Sequence, residues 1–414
     1  MRIVSLSSVY PHPQEPGLGL FVRSRLVHIA ERAELVVVAP VPVVDYSNPR
    51  RRWFQGLEVS STRSDAGVPV LHPRWLFPPG GTPANILCLC TRLLPTLWRL
   101  RRRFPFDLID AHFGYPEGVV AGLLAAAFDC PFTITLRGSE PVFARDRYRR
   151  RCLEWAIRRA DAVFAVSESL RRFAIECGAE PARVRTIPNG IDSAVFHPRD
   201  RALCRAQFGM RPDHRVVVCA GELIEAKGHH LVIQAVRDLL AEGLPVEMYL
   251  AGGVARGGAP FDQEIERRIT EWNLGANVHL AGWVKPERLA ELVCAADLFC
   301  LASFTEGWPN VVNEALACGT PVVATRVGAV PEMLSSEAYG LIVPPRDQDA
   351  LTAALRRALF ALWDRNAVAA RGLSRSWQDV AGEVTTEMQA VITHPKRRPA
   401  MLEVRRTSSM GDGA

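Results

Sequence analysis

The chain has 414 residues, of which 48% are hydrophobic and 23% charged, so it is neither disordered nor fibrous and is long enough for two or three domains. Its net charge is +6, and only three of its 50 basic residues are Lys. So mild an excess requires no nucleic-acid partner, and we expect none. Ten scattered cysteines with no C-x-x-C pair indicate buried free thiols rather than disulfides or a zinc site.

Neither the N-terminal residues nor the longest apolar stretch of the sequence suggests a chain that inserts into a membrane. The first residues, MRIVSLSSVYP, contain too short an apolar run for a signal peptide. The longest uncharged apolar stretch, residues 119–128, is half of what a membrane span needs. We therefore expect a cytoplasmic protein.

Short apolar runs rich in β-branched residues recur along the chain, with helical patterns between them. Several are apolar throughout, as strands covered on both faces must be. Alternating strands and helices predict parallel sheets built from right-handed crossovers. The predicted strands are residues 35–40, 106–112, 131–136, 162–167, 184–188, 215–221, 246–252, 277–282, 297–303, 321–325 and 340–343.

Eleven strands are too many for one sheet, and a natural boundary lies at 188–213, which is rich in turn residues. The predicted fold class is α/β, with two doubly wound, Rossmann-like domains joined near residue 190. Ligands bind beyond the carboxyl ends of the strands in such folds, so two facing domains would enclose a cleft. The polar, aperiodic segment 394–414 is predicted to be a disordered tail.

The most informative segment is 303–332, SFTEGWPNVVNEALACGTPVVATRVGAVPE. A loop after a buried strand presents Glu306, Pro309 suits the first helical position, and Gly319 suits the helix end. Glu306 and Glu314 can point into one crevice and accept hydrogen bonds from a polyol such as a sugar or ribose. The alternative is a loop acid and an unrelated exposed helical acid.

This segment resembles the signature of retaining, group 1 (family 4) nucleotide-sugar glycosyltransferases with the GT-B fold. It has EGWPNVVNE, ACGTPVV and VGAVPE, with Ala329 where the second Gly of the last motif usually lies. The resemblance continues through 17–26, 187–198, 221–235 and 277–284 and covers residues 1–393. It implies an acceptor-side domain at 1–190, a donor-binding domain at 191–373, and a last helix at 374–393 that returns to the first domain.

The resemblance also assigns roles to individual residues. Glu306 would contact the donor sugar, Lys227 the diphosphate, and His112, at the end of FDLIDAH, the sugar again; these three are the predicted catalytic residues. Arg137 and Glu140 occupy the T-x-H-G-x-D position, where they replace His and Asp, and they either touch the acceptor or a phosphate or cap the next element. The donor-binding residues would be Glu314, Gly19, Gly307, Asn310, Val311, Glu222 and Val284.

Lys227 has an argument of its own. An ammonium group at a strand's carboxyl edge, near the positive N-terminus of the next helix, makes an anion site. The alternative is a solvated loop lysine. Many relatives have Arg where this chain has Glu222, so one expected phosphate cation is absent. Either the enzyme works with reduced charge, or the site is rearranged and uses Arg326 or Arg23. With no D-x-D and no His/Cys cluster, no metal is expected and no cofactor beyond a UDP- or GDP-sugar substrate.

The basic, apolar stretch 85–104 contains Trp98 among five arginines, and Pro95 is expected to interrupt its helix. It is either a core-packed helix with a solvated edge or a surface for anionic headgroups, which would suit peripheral membrane contact and a lipid-linked acceptor. The expected activity is transfer of a sugar to an acceptor hydroxyl in polysaccharide or glycolipid synthesis. Alternatives are a same-fold epimerase or phosphorylase, or a non-catalytic nucleotide-binding subunit.

Overall fold

The computed structural model describes residues 1–44, 54–78, 83–253 and 261–394. The predicted tail, except for His394, and the middle of the loop 252–264 lie outside the described residues. Within them the chain forms two α/β domains, each built on a mainly parallel sheet, which confirms the predicted fold class.

The first domain centres on an eight-stranded sheet of order β10-β9-β8-β7-β1-β2-β5-β4, in which only β4 runs antiparallel to its neighbour. A small parallel pair, β3 and β6, lies beside it. Its elements are β1 (Arg2–Leu6), α1 (Leu20–Ala30), β2 (Glu34–Val38), β3 (Val41–Pro42), β4 (Thr62–Asp65), β5 (Val68–Leu71), β6 (Arg74–Trp75), α2 (Pro83–Arg101), β7 (Leu108–His112), α3 (Val119–Phe128), β8 (Phe132–Leu136), α4 (Glu140–Phe143), α5 (Arg147–Arg159), β9 (Ala162–Ala165), α6 (Glu168–Glu176) and β10 (Val184–Thr186).

The second domain centres on a six-stranded parallel sheet of order β13-β12-β11-β14-β15-β16. Its elements, with the final helix, are α7 (Arg201–Gln207), β11 (Arg215–Ala220), α8 (His229–Ala241), β12 (Val246–Ala251), α9 (Asp262–Glu271), β13 (Val278–Gly282), α10 (Pro286–Ala295), β14 (Leu298–Leu301), α11 (Asn310–Ala317), β15 (Val322–Thr325), α12 (Val330–Met333), β16 (Gly340–Val343), α13 (Gln348–Phe360), α14 (Arg365–Gly372) and α15 (Trp377–Thr393).

Each sheet has a hydrophobic core on both faces, which explains why its central strands are apolar at successive positions. One core of the first domain includes α15, whose Trp377, Val384 and Met388 pack with Val22 and Leu26 of α1. The chain therefore crosses from the second domain back to the first, near the bridge between Ile191 and Ser376.

All eleven predicted strands are present, and the described residues contain five more strands that the sequence pattern did not predict. The central strand β1 is the most important of these. Its short apolar run is interrupted by Ser5, which is fully buried and donates a hydrogen bond to Asp110 (Oγ–Oδ2 3.1 Å). A polar residue that is buried with a distant hydrogen-bond partner interrupts the apolar run in the sequence, although the strand still forms.

The predicted break at Pro95 is wrong, because α2 continues through it to Arg101. Proline removes one helical hydrogen bond and costs about 3 kcal/mol inside a helix. Leu89, Leu93 and Leu97 are all buried against the first sheet, and full burial of each such side chain contributes about 1.5–3 kcal/mol. Packing therefore outweighs the local penalty.

Candidate active site

The carboxyl edges of the two sheets meet closely. A Cβ atom on Gly307, after β14, would lie only 2.2 Å from the carbonyl oxygen of Arg137, after β8. A Cβ atom on Gly138 would lie 2.5 Å from the Cα atom of Gly307. Only glycines allow the two loops to approach this far. The predicted donor residue Gly307 is thus part of the contact between the domains.

Lys227 and Glu306 form an ion pair on the second-domain side of this contact. The Lys227 Nζ atom donates to Glu306 Oε1 at 2.6 Å. The Lys227 side chain is 26% exposed and the Glu306 side chain 12%, so both are half-sheltered groups rather than solvated surface charges. The structure therefore brings together the two residues that the sequence predicts for the diphosphate and the sugar.

Local backbone geometry holds Lys227 in place. It ends a short 3-10 turn, Glu225–Lys227, and Gly228 follows in the left-handed region (φ +66°) as the N-cap of α8. Gly228 packs on the carbonyl of Ala302, and Phe304 N–H donates to the carbonyl oxygen of Ala226 at 2.8 Å. The loops after β11 and β14 are thereby tied together, with the N-terminus of α8 beside Lys227, which favours an anion.

The remaining second-domain candidates lie nearby. Asn310 begins α11, one residue later than the helix start predicted at Pro309, and Val311 and Glu314 follow on the same helix. Val284 follows β13 and packs on the same core as Val311. Burial raises the pKa of Glu314 to about 7, so this carboxyl group is poised between its two protonation states near neutral pH.

The first-domain candidates form a buried network. His112 is fully buried, its Nε2 atom lies 3.0 Å from Asp110 Oδ2, and Arg137 Nη2 donates to its Nδ1 at 2.8 Å. Burial lowers the pKa of His112 to about 4, so the ring is neutral at pH 7. Burial alone would raise the pKa of Asp110, but His112, Arg25 and the Thr133 hydroxyl lower it to about 2.

Arg137 connects this network to the second domain. Its Nη1 atom donates to Asn189 Oδ1 at 3.1 Å, and Asn189 Nδ2 donates to Asn310 Oδ1 at 3.0 Å. A continuous chain of side chains thus runs from His112 across the cleft to the helix that carries Glu314. Asn189 lies in the segment where the sequence indicates the domain boundary, and its two partners are 52 and 121 residues away, so the local sequence does not reveal this link.

Glu140 has a structural environment. It is fully buried, and its carboxylate accepts hydrogen bonds from the backbone N–H groups of Gly138 (2.8 Å), Gly114 (3.0 Å) and Arg137 (3.1 Å). Of the two sequence interpretations, this geometry favours the one in which Glu140 fixes the local backbone over the one in which it touches the acceptor.

The loop before α1 also reaches the cleft. Gly19 is the N-cap of α1 in the left-handed region (φ +64°), and a Cβ atom there would lie 2.3 Å from the carbonyl oxygen of Val9. Gly17 lies against the indole of Trp283, which belongs to the second domain. The turn therefore requires glycine for its own geometry as well as for close approach to the facing domain.

The two arginines considered as replacements for the missing phosphate cation differ in availability. Arg23 is held by Asp65 in a bidentate pair, with nitrogen–oxygen distances of 2.9–3.1 Å. Arg326 and Glu222 are both exposed. Arg23 is thus already neutralised, whereas Arg326 retains a solvent-facing side chain.

Two residues of the site escaped the sequence analysis. Asp110 lies two positions before His112 in β7 and is the buried anion of the network. Arg25 of α1 is also fully buried and lies over the ring of Phe164 (5.4 Å), and burial lowers its pKa to about 10. The placement of Asp110 and His112 two positions apart in one strand could have been recognised in the sequence. The contact of Arg25 with Phe164 could not, because only the tertiary fold brings these residues together.

Three general features concern the cysteines, possible metal sites and possible membrane spans. All ten cysteines are free thiols. In the described ranges, no three or more His, Cys, Asp or Glu side chains are grouped so as to hold a metal ion. None of the helices seen between residues 1 and 394, outside the three undescribed gaps, has the length and hydrophobicity to cross a bilayer.

Solved structures share this two-domain architecture over nearly the whole chain. Sucrose-phosphate synthase from Thermosynechococcus elongatus superposes with a TM-score of 0.75 at 19% identity, covering 95% of this chain and 99% of its own. Anabaena HepE in complex with UDP superposes with a TM-score of 0.73 at 20% identity, covering 94% and 100%. The fold is therefore that of the GT-B class of glycosyltransferases.

Sequence matches define the family. Residues 56–195 match Glycosyltransferase Family 4, and residues 200–365 match glycosyl transferases group 1. The chain belongs to these group 1, family 4-type glycosyltransferases and is an enzyme of the transferase class.

Two curated relatives illustrate the range of the match. The putative teichuronic acid biosynthesis glycosyltransferase TuaC of Bacillus subtilis is 27% identical over 372 residues, covering 86% of this chain and 89% of the relative. The D-inositol 3-phosphate glycosyltransferase of Mycobacteroides abscessus is 35% identical over 167 residues, covering 40% of this chain and 37% of the relative.

Proposed function

We propose that this enzyme transfers a sugar from a nucleoside-diphosphate sugar, a UDP- or GDP-sugar, to an acceptor hydroxyl with retention at the anomeric carbon and without a metal ion. The observation that carries the proposal is the Lys227–Glu306 pair at the carboxyl edge of the second sheet, beside the N-terminus of α8. A fixed cation and a helix N-terminus suit a diphosphate, and a neighbouring carboxylate suits sugar hydroxyls.

In this proposal the chain's groups act on charge that develops during the reaction. The bond between the anomeric carbon and the β-phosphate oxygen breaks, and the acceptor oxygen forms a bond on the same face. The acceptor's proton passes to an oxygen of the departing diphosphate. Lys227 and the backbone amides of the α8 N-terminus stabilise the growing negative charge there, which is preorganised electrostatic catalysis.

Nucleotide binding agrees with what is known of one neighbour of the same fold. Anabaena HepE has been solved with UDP and with UDP-glucose, the latter at a TM-score of 0.68 and 22% identity. Glu314 would accept hydrogen bonds from the ribose, and Gly19, Asn310 and Val311 would line the donor site. The teichuronic acid pathway named for TuaC makes polysaccharide synthesis the natural setting, with a glycan or lipid-linked acceptor at the inner face of the cell membrane.

A donor screen tests this function. Thermal shift with UDP-, GDP- and ADP-sugars identifies the donor, and proton NMR of the first product reports its anomeric configuration. We expect one donor to stabilise the protein and to give product with the donor's own configuration. Inverted product would contradict retention, release of free sugar or nucleotide as the main acceptor-independent product would favour an epimerase, and binding without turnover would contradict transfer.

A further inference from the structure

A cavity of about 470 Å³ opens on the first domain, between the C-terminal half of α2 and the last two strands of the sheet, β5 and the edge strand β4. Its walls combine hydroxyl groups, aliphatic side chains and guanidinium groups. The arginines that line it are Arg92, Arg99, Arg102 and Arg103. None of the residues assigned above to the donor site contributes to this cavity.

The four arginines around the cavity have no carboxylate partner among the described residues. Across the described parts of the chain, none of the four guanidinium groups forms an ion pair with a carboxylate, and all four side chains are exposed. Neighbouring arginines behave differently, since Arg23 and Arg63 both pair with Asp65. Arg92 and Arg99 lie on α2, and Arg102 and Arg103 lie in the turn that follows it. Four like charges this close together repel each other, so an anion bound among them would be stabilised.

The cavity also has an apolar side. Leu71, Pro73 and Leu100 form part of its wall. On the outer surface of the same helix, Leu87, Leu94 and Trp98 are 45–64% exposed, and Arg102 stacks over the Trp98 ring at 3.7 Å. An exposed apolar stripe next to a basic cavity suits a ligand with a charged end and an apolar end.

We propose that this cavity binds the phosphate group of an amphiphile, a phosphate ester carried on an apolar chain. Guanidinium groups match phosphate oxygens in bidentate geometry, and the hydroxyls of Ser61 and Thr62 supply further donors. The site deepens the proposed function by giving the chemistry of its acceptor side, and that connection rests on the proposed function.

The position of His72 supports that connection. It lies in the wall of this cavity and also in the wall of a second, smaller one lined by Ser8, Tyr10 and Leu18. Leu18 lies between Gly17, which meets Trp283 of the second domain, and Gly19. A ligand anchored by its phosphate among the arginines would therefore lie on the side of the first domain that leads to the cleft.

Charge-matched variants test the site. The variant R92Q/R99Q/R103Q removes three cavity charges and leaves Arg102 on Trp98, whereas R145Q/R147Q/R151Q removes three exposed charges around α5 in the same domain. Binding is measured by calorimetry with geranyl phosphate and with inorganic phosphate, and by co-sedimentation with vesicles of phosphatidylcholine and phosphatidylglycerol at 7:3. Melting temperatures check that each variant is folded, and R99Q alone serves if the triple variant is not.

We expect the wild type and the α5 variant to bind geranyl phosphate more tightly than inorganic phosphate, and the cavity variant to bind it at least about tenfold more weakly. Parallel loss of vesicle binding would show that the cavity also takes phospholipid headgroups, and loss confined to geranyl phosphate would show a single amphiphile taken from solution. Equal geranyl phosphate binding by the two triple variants, or equal affinity for the two phosphates, would overturn the proposal. Donor-dependent thermal shift should survive in both variants, so failure of the donor site in all three proteins would count against the proposed function alone.

Discussion

The two edges that face the cleft use ionisable side chains in opposite ways. On the second domain, Lys227, Glu306 and Glu314 lie in loops or on a helix near the cleft, and the Lys227–Glu306 pair is partly exposed. On the first domain, Asp110, His112 and Arg137 are buried and bond to one another or to other protein groups. One edge therefore presents partly exposed charge to the cleft, whereas the other uses buried charge to hold its own loops and the facing domain in position.

Removal of the buried anion of the first domain, Asp110, is expected to have the largest effect on stability. Asp110→Asn removes the buried carboxylate whose charge favours the charged forms of Arg25 and Arg137, and leaving buried charge uncompensated costs up to about 3–5 kcal/mol. We expect a loss of that size in the free energy of unfolding by urea. Asp129→Asn is the control, because Asp129 is an exposed left-handed helix end that Asn also tolerates; equal stability of the two variants would show that the network is not structural.

The matching experiment on the second domain should affect rate instead of stability. Glu306→Gln removes the carboxylate bonded to Lys227, and we expect donor turnover to fall about 10²-fold, the scale of one lost preorganised contact. The control is Glu337→Gln, which breaks an exposed ion pair with Arg357 on the outer surface of the same domain. If both variants turn the donor over at the wild-type rate, the assignment of Glu306 is wrong.

Protonation of Glu314, on the second-domain edge, should make donor binding depend on pH. The pKa of Glu314, about 7, lies above the usual value for a Glu, so the carboxyl group of the ligand-free protein is mostly protonated below pH 7. Ribose hydroxyls donate to the ionised carboxylate, so donor binding would release this proton. The affinity for the donor sugar nucleotide should therefore rise about tenfold between pH 6 and pH 8, with proton release in calorimetry. Glu314→Gln should flatten this profile, and a flat profile in the wild type would exclude Glu314 from the ribose contact.

The smallest expected effect concerns the link between the edges. Asn189 and Asn310 share one hydrogen bond across the cleft, and such bonds contribute about 0.5–1.5 kcal/mol. A double-mutant cycle of Asn189→Ala and Asn310→Ala on the free energy of unfolding should return a coupling in that range. A coupling of zero would show that this contact does not stabilise the closed arrangement.

The fold was largely predictable because buried parallel strands leave apolar runs, and eleven of these were recognised. The strands that escaped are short or carry buried polar residues such as Ser5, whose partner Asp110 lies 105 residues away. The continuation of α2 through Pro95 was likewise unpredictable, because the burial of Leu93 and Leu97 that compensates for it is a tertiary effect.

The candidate site likewise contains residues that local sequence reveals and residues that it does not. Glu306 and Lys227 stand out from local sequence, since strand, loop and helix start follow one another within each segment. The link from Arg137 through Asn189 to Asn310 joins three distant segments, and nothing in the local pattern of any of them reveals it. Sequence thus indicates the residues that we propose for ligand binding better than those that hold the two domains together.

The most direct test of the account is the rate of nucleotide release from the preferred donor by Lys227→Ala and by Arg357→Ala, measured side by side. Both variants lose one cation from an ion pair in the second domain, but only Lys227 lies beside the N-terminus of α8. The account predicts a loss of about 10²-fold or more for Lys227→Ala and a rate near the wild type for Arg357→Ala. Equal rates for the two variants would contradict it.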